Sequence, residues 1–124
     1  MRRLISIILL LSLLLCGCER QVYELGTFSF DQDNIENSGS VRMIDTESQK
    51  LVLFMNPAKA VEIAKKYCTF GNAESSVDYD SEAGIYRVVF IKAVPMDGYV
   101  VYATGGVSVY LNDDGIVLMV VYGE

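Results

Sequence analysis

Three kinds of residue in this chain could do chemistry: its thiols, its clustered carboxylates and its glycine-bearing turns. Cys16, Cys18 and Cys68 are the three thiols among 124 residues, and there is no His. Without His the chain lacks the commonest general base and the commonest metal ligand, and a Cys nucleophile lacks its usual activator. Asp78, Asp80 and Glu82 stand at alternate positions ahead of Gly84, a spacing at which oxygen donors can converge on a hard cation. A calcium loop, however, needs a Glu at its last ligand position, where Val89 stands, and its glycine one place earlier. A polar hairpin turn is the better reading. Asp31, Asp33 and Glu36 lack the glycine and the distal Glu of such a loop and read as a solvated acidic segment. Gly105-Gly106 is not followed by the Lys and helix of a phosphate loop. A non-catalytic chain without metal or cofactor is expected.

Cys16 and Cys18 take their meaning from what precedes them. Met1-Arg2-Arg3 is followed by an apolar run to Leu15 with no polar face at helical spacing. The run is too short for a bilayer span, which takes about 20 apolar residues, and has the form of an export signal. Its end, Leu15-Cys16-Gly17-Cys18, resembles the bacterial lipobox, in which a Leu and then a small residue precede the Cys. The resemblance implies that residues 1–17 are a lipoprotein signal peptide and that the Cys18 thiol is diacylated. Cleavage before Cys16 would instead set the bulk of Leu15 at the cut. Each buried methylene contributes about 0.8 kcal/mol, so two or three acyl chains hold a protein firmly to a membrane. The implied location is the bacterial cell envelope, lipid-anchored and facing the periplasm. Glu19, where an Asp would retain a lipoprotein in the inner membrane, favours the outer membrane in a Gram-negative cell. Cys68 is then left without a disulfide partner and is expected to pack as a small apolar residue.

Without the leader the chain has 107 residues and 8 basic against 16 acidic side chains, a charge of −8. Nucleic acid is disfavoured as a partner, because phosphate contacts need clustered Lys and Arg. The length suits one small domain. Residues 18–50 read as a tether and acidic loop or weak strands, and 51–124 as a small α+β domain. Leu51 to Met55 is a short apolar strand or helix lead-in. Asn56-Pro57 then pairs an N-cap side chain with Pro at the first helical position. A helix from Pro57 to about Cys68 follows, with Ala60, Val61, Ala64, Tyr67 and Cys68 as its apolar stripe. From Ser76 onward the period changes to two. Strands are expected around Val77–Tyr79, Ile85–Ala93, Tyr99–Ala103, Val107–Leu111 and Ile116–Tyr122, separated by turn chemistry at Ser81–Gly84, Pro95–Gly98 and Asn112–Gly115. Gly105-Gly106 marks a bulge or sharp bend. The expected fold is α+β, with one main helix packed on a curled antiparallel sheet of three to five strands.

Tyr99, Tyr102, Tyr110 and Tyr122 fall in the C-terminal strands. Tyr presents rigid apolar area with a polar tip and is favoured at protein interfaces, so these four are candidate binding residues. Residues 57–124 resemble small bacterial immunity proteins with the fold of nuclear transport factor two. The likeness lies in the helix with Ala60, Ile63-Ala64 and Tyr67 and in the strand Gly84-Ile85-Tyr86-Arg87-Val88. It continues through Gly105-Gly106-Val107 with Val109 and Leu111, Asp114-Gly115, Ile116-Val117-Leu118 and the terminal Tyr122-Gly123-Glu124. Tyr86 stands where that family has Trp. A second resemblance is to the helix-and-hairpin domain of peptidase propeptides, which implies a peptidase-binding inhibitor. Both imply a protein-binding module, with a basic toxin as one partner that an acidic domain would attract; an envelope accessory or structural role is the alternative. Cys18→Ser is expected to abolish acyl labelling and release the protein to the soluble fraction, as checked by metabolic labelling and cell fractionation.

Overall fold

The structure, a computed structural model, describes residues 23–37, 40–102 and 105–123. Cys16 and Cys18 lie outside the described residues. Alternating Val, Ile, Tyr and Phe build the central strands, because period-two patterning places one set of side chains on each face of a sheet. The strands are β1 (Leu25–Thr27), β2 (Ser40–Met43), β3 (Ala73–Asp80), β4 (Ile85–Met96), β5 (Tyr99–Tyr102), β6 (Val107–Asn112) and β7 (Val117–Tyr122). They form one sheet in the order β1-β3-β4-β6-β7-β2, with β5 paired to β4 off that path. All pairings are antiparallel except that of β1 with β3, which is parallel and sets Leu25 opposite Val77.

This corrects the expectation of one main helix on an antiparallel sheet of three to five strands. Seven strands form a mixed sheet, and strands take 44% of the described residues against 16% in helices. The difference comes from residues 18–50, which supply both outer strands of the main path. β1 has three residues and β2 four, too few to display a period; they are strands because they pair with exposed edges of β3 and β7. The same segment holds α1 (Gln32–Glu36), capped by the Asp31 carboxylate, which accepts from the Asn34 amide at 3.2 Å.

The two faces of the sheet carry separate cores. On one face Val88, Phe90, Val109, Leu111 and Val120 are buried beneath Ala60, Val61 and Ala64 of α2 (Pro57–Ala64). The Asn56 side chain accepts from the Lys59 amide at 2.8 Å and Pro57 opens the helix, as the sequence implies. α2 passes into a 3-10 turn at Lys65–Tyr67, and Tyr23, Tyr67, Cys68 and Phe70 fill in around it. On the other face Ile85, Tyr110 and Met119 are covered by Phe28, Phe30, Ile35 and Val41. A shift in register where Tyr110 faces Met119 and Leu111 faces Val117 inserts one extra residue in β7. That bulge is how Val117 and Val120 both reach the α2 face.

Two close approaches depend on glycine. Gly115 has φ of 75°, and a Cβ on it would lie 2.7 Å from a Val52 methyl. The segment before α2 therefore docks on the β6–β7 turn, where the Val52 amide donates to Asp114 O at 2.8 Å. Gln49 secures it further: its amide group donates to Val117 O and accepts from Val117 N, both at 2.7 Å, in the manner of a paired strand. Gly105-Gly106 leads into β6, Gly105 with φ of 95°, and the Gly123 amide donates to Gly106 O. A Cβ on Gly106 would approach Phe90 O to 2.7 Å. Leu111→Ala, at a fully buried position, is expected to cost about 2–5 kcal/mol of stability, measured by urea denaturation.

Candidate protein-binding surface

The clustered carboxylates are held by donors within the fold. Arg87 donates from Nε and Nη2 to one Asp78 oxygen, at 3.1 and 2.7 Å. Its guanidinium lies 4.5 Å from the centre of the Phe28 ring, a cation–π arrangement. Asp80 accepts from the amides of Phe30, Glu82 and Ala83 at 2.7, 2.9 and 3.2 Å. These bonds, that from Phe30 first, hold its carboxyl below the usual range. The two aspartates thus fasten the Phe28–Phe30 segment to the sheet and close the β3–β4 turn; Glu82 remains exposed. At the neighbouring turn, Tyr79 donates to Asp113 at 2.7 Å, and this bond pushes the Tyr79 pKa up to about 12. Among the described residues no group of three Asp, Glu or Cys is arranged to hold a metal. Cys68 is half-buried, its thiol donating to Phe70 O at 3.3 Å.

The four candidate tyrosines are not brought together. Tyr110 is 6% exposed in the far-face core, between Phe28 and Phe30 with ring centres at 6.2 and 5.9 Å. Its pKa is raised by burial, with the Arg87 charge opposing. Tyr122 is half-buried at the end of β7, beside the α2-side core. Tyr99 and Tyr102 are 60% and 55% exposed, at the two ends of β5.

β5 belongs to an arm. β4 pairs with β6 as far as Phe90 and with β3 as far as Lys92; from Ala93 to Met96 its partner is β5. The ribbon therefore continues past the main sheet, rooted by the Ala93 amide donating to Asn72 O at 3.0 Å, and turns at Gly98 with φ of 81°. All four β5 residues are exposed, Val100 and Val101 included, as is Met96 opposite Tyr99. Successive residues of a strand face opposite ways, so apolar surface shows on both sides of the ribbon. The outer edge of β5 has no strand partner among the described residues. Natural sheets usually blunt such an edge with charge, proline or a covering element. At the root, Glu74 accepts from the Tyr102 hydroxyl and raises its pKa.

A second exposed apolar feature lies where the sequence suggests a strand or helix lead-in. Leu53 and Phe54 are 90% and 86% exposed in the loop before α2. Beside the loop a cleft of about 440 Å³ runs between α2 and the β6–β7 turn; Lys50, Lys59 and Lys66 are among the residues that line it. The run Leu51-Val52-Leu53-Phe54 hides this outcome, since nothing in its composition says that Val52 alone turns inward toward Gly115.

Comparison with protein-family models, curated proteins and solved structures gives no match for the chain. Among the described residues no helix is long and apolar enough to cross a membrane. Tyr99→Ala and Tyr102→Ala are expected to leave stability within about 0.5 kcal/mol of the parent, whereas Tyr110→Ala is expected to cost about 3–5 kcal/mol. Chemical denaturation of the three variants checks the contrast.

Proposed function

We infer that this chain is a lipid-anchored protein of the bacterial envelope whose domain binds another protein through the β4–β5 arm, and that the bound protein is a secreted toxin which it neutralises. The observation that carries the reading is β5: four consecutive exposed residues, Tyr-Val-Val-Tyr, on a strand whose outer edge has no strand partner among the described residues. A partner strand laid along that edge would complete its backbone hydrogen bonds, while Tyr99 and Tyr102 supply area with polar tips. Specificity in this mode comes from the side chains that flank the added strand, and affinity from the main-chain bonds. The acidic balance of the chain would speed association with a basic partner and disfavour acidic ones. Acyl chains on Cys18 would keep the arm where an incoming toxin arrives.

The reading is tested in competition between a producing strain and a derivative that lacks this gene. The derivative is expected to be outcompeted, and the wild-type chain to rescue it. A chain carrying Tyr99→Asp and Tyr102→Asp, present at the same level in the membrane fraction, is expected to fail. Its affinity for the purified toxin should fall by about tenfold or more, equivalent to about 1.4 kcal/mol. Equal fitness of the deletion strain, with no change in envelope integrity, would refute a protective role; equal fitness with an envelope defect would instead support an accessory role.

A further inference from the structure

We propose that the α2 side of the domain is seated on the bilayer that holds the Cys18 lipid, with Leu53 and Phe54 dipping among the acyl chains and Lys50, Lys59, Lys65 and Lys66 on the anionic headgroups. The orientation rests on acylation of Cys18.

Three independent features place the contact on this side. The first is charge. The chain without its leader carries −8, so as a whole an anionic surface repels it. Yet four of its five Lys lie on the α2 side, three lining the cleft beside α2 and Lys65 lining the cleft at its far end. Glu62 is the one carboxylate that lines either cleft, and it is already paired with Lys59 at 3.5 Å. A dipole of this kind orients a protein at a charged surface even when its net charge is unfavourable, and each Lys within a Debye length adds to the attraction.

The second is the loop. Leu53 and Phe54 are the most exposed of the large apolar residues among those described. They sit on a loop whose base is fixed by the Val52–Asp114 and Gln49–Val117 hydrogen bonds. Two adjacent large apolar side chains on a braced loop, with a Lys-lined cleft beside the loop's base at Val52, match the interfacial pattern in which apolar groups enter the acyl boundary while cations remain at the headgroups. The β4–β5 arm has a different character: its apolar residues extend along an open strand edge, with Glu74 at its root, which suits a polypeptide.

The third is the length of the tether. Tyr23 lines the cleft at the end of α2 with Lys65 and Cys68. Four residues separate it from Cys18, and the five Cα steps keep the lipidated residue within about 18 Å of Tyr23 even when fully extended. α2 and its 3-10 extension together span a similar distance, about 18 Å. The tether therefore joins the described domain at Tyr23, beside Lys65, whereas α1 covers the opposite face of the sheet.

The chain has no Trp, so one introduced Trp reports its own surroundings. The mature, acylated Phe54→Trp protein is reconstituted in vesicles of phosphatidylethanolamine and phosphatidylglycerol, with Leu53→Trp as a second reporter and Asn34→Trp, on α1, as the far-face reference. Emission of the first two is expected to shift to the blue and to be quenched about twofold by brominated acyl chains, while Asn34→Trp stays water-like. Replacing phosphatidylglycerol by phosphatidylcholine, or adding Lys59→Glu with Lys66→Glu, is expected to remove most of the quenching. Water-like emission at positions 53 and 54 on a protein whose mass shows an acylated Cys18 overturns the orientation alone. A Cys18 without acyl mass overturns the anchor and the orientation with it.

Discussion

β4 hydrogen-bonds to three strands, and the rest of the domain is arranged around that. Its twelve residues pair with β3 on one side and β6 on the other, then with β5 beyond the point where both neighbours end. The first part is the centre of a two-faced core and must alternate apolar residues on both faces, as Ile85, Tyr86, Val88 and Phe90 do. The second part runs beyond both neighbours: Ala93 and Val94 are half-buried, and Pro95 and Met96 are exposed. One strand therefore ties the buried centre of the sheet to an exposed arm.

A sheet buried on both faces needs two covers, and among the described residues one helix, α2, is longer than five residues. α2 covers one face. The other is covered by Phe28, Phe30 and Ile35 from a short acidic segment that has little apolar area of its own. What makes so slight a cover sufficient is polar: Asp78 with Arg87 beneath the Phe28 ring, and Asp80 with the Phe30 amide. A charge-assisted hydrogen bond is roughly twice as strong as a neutral one. Asp78 and Asp80 thus act as fasteners, Asp80 through both of its oxygens and Asp78 through one.

Most of the exposed large apolar residues described lie in two regions of different chemistry. The arm shows backbone edge and tyrosine; the loop before α2 shows Leu and Phe, with a Lys-lined cleft at its base. Strand edges are matched by polypeptides, which can supply the missing N–H and C=O groups, and exposed hydrocarbon near cations is matched by an anionic bilayer. With the α2 side held to the membrane, the arm would remain available for a protein partner.

Much of the architecture is legible in the residues themselves. Asn56-Pro57 and the Ala60, Val61, Ala64 stripe specify α2 locally, because capping and helical period act over a few residues. The turns at Gly84, Gly98 and Gly115 and the alternation of β3, β4, β6 and β7 are local in the same sense. The lipobox-like run ending at Cys18 and the acidic balance are properties of the sequence alone. Only tertiary structure made strands of Leu25–Thr27 and Ser40–Met43, since segments so short gain their hydrogen bonds from edges created elsewhere in the chain. It also separated four tyrosines that look alike in sequence, burying Tyr110 between two Phe rings and leaving Tyr99 and Tyr102 in water, because β6 lies beneath the Phe28–Phe30 cover and β5 runs beyond it. Period and capping are encoded between near neighbours, whereas exposure depends on which distant segment lands on which face.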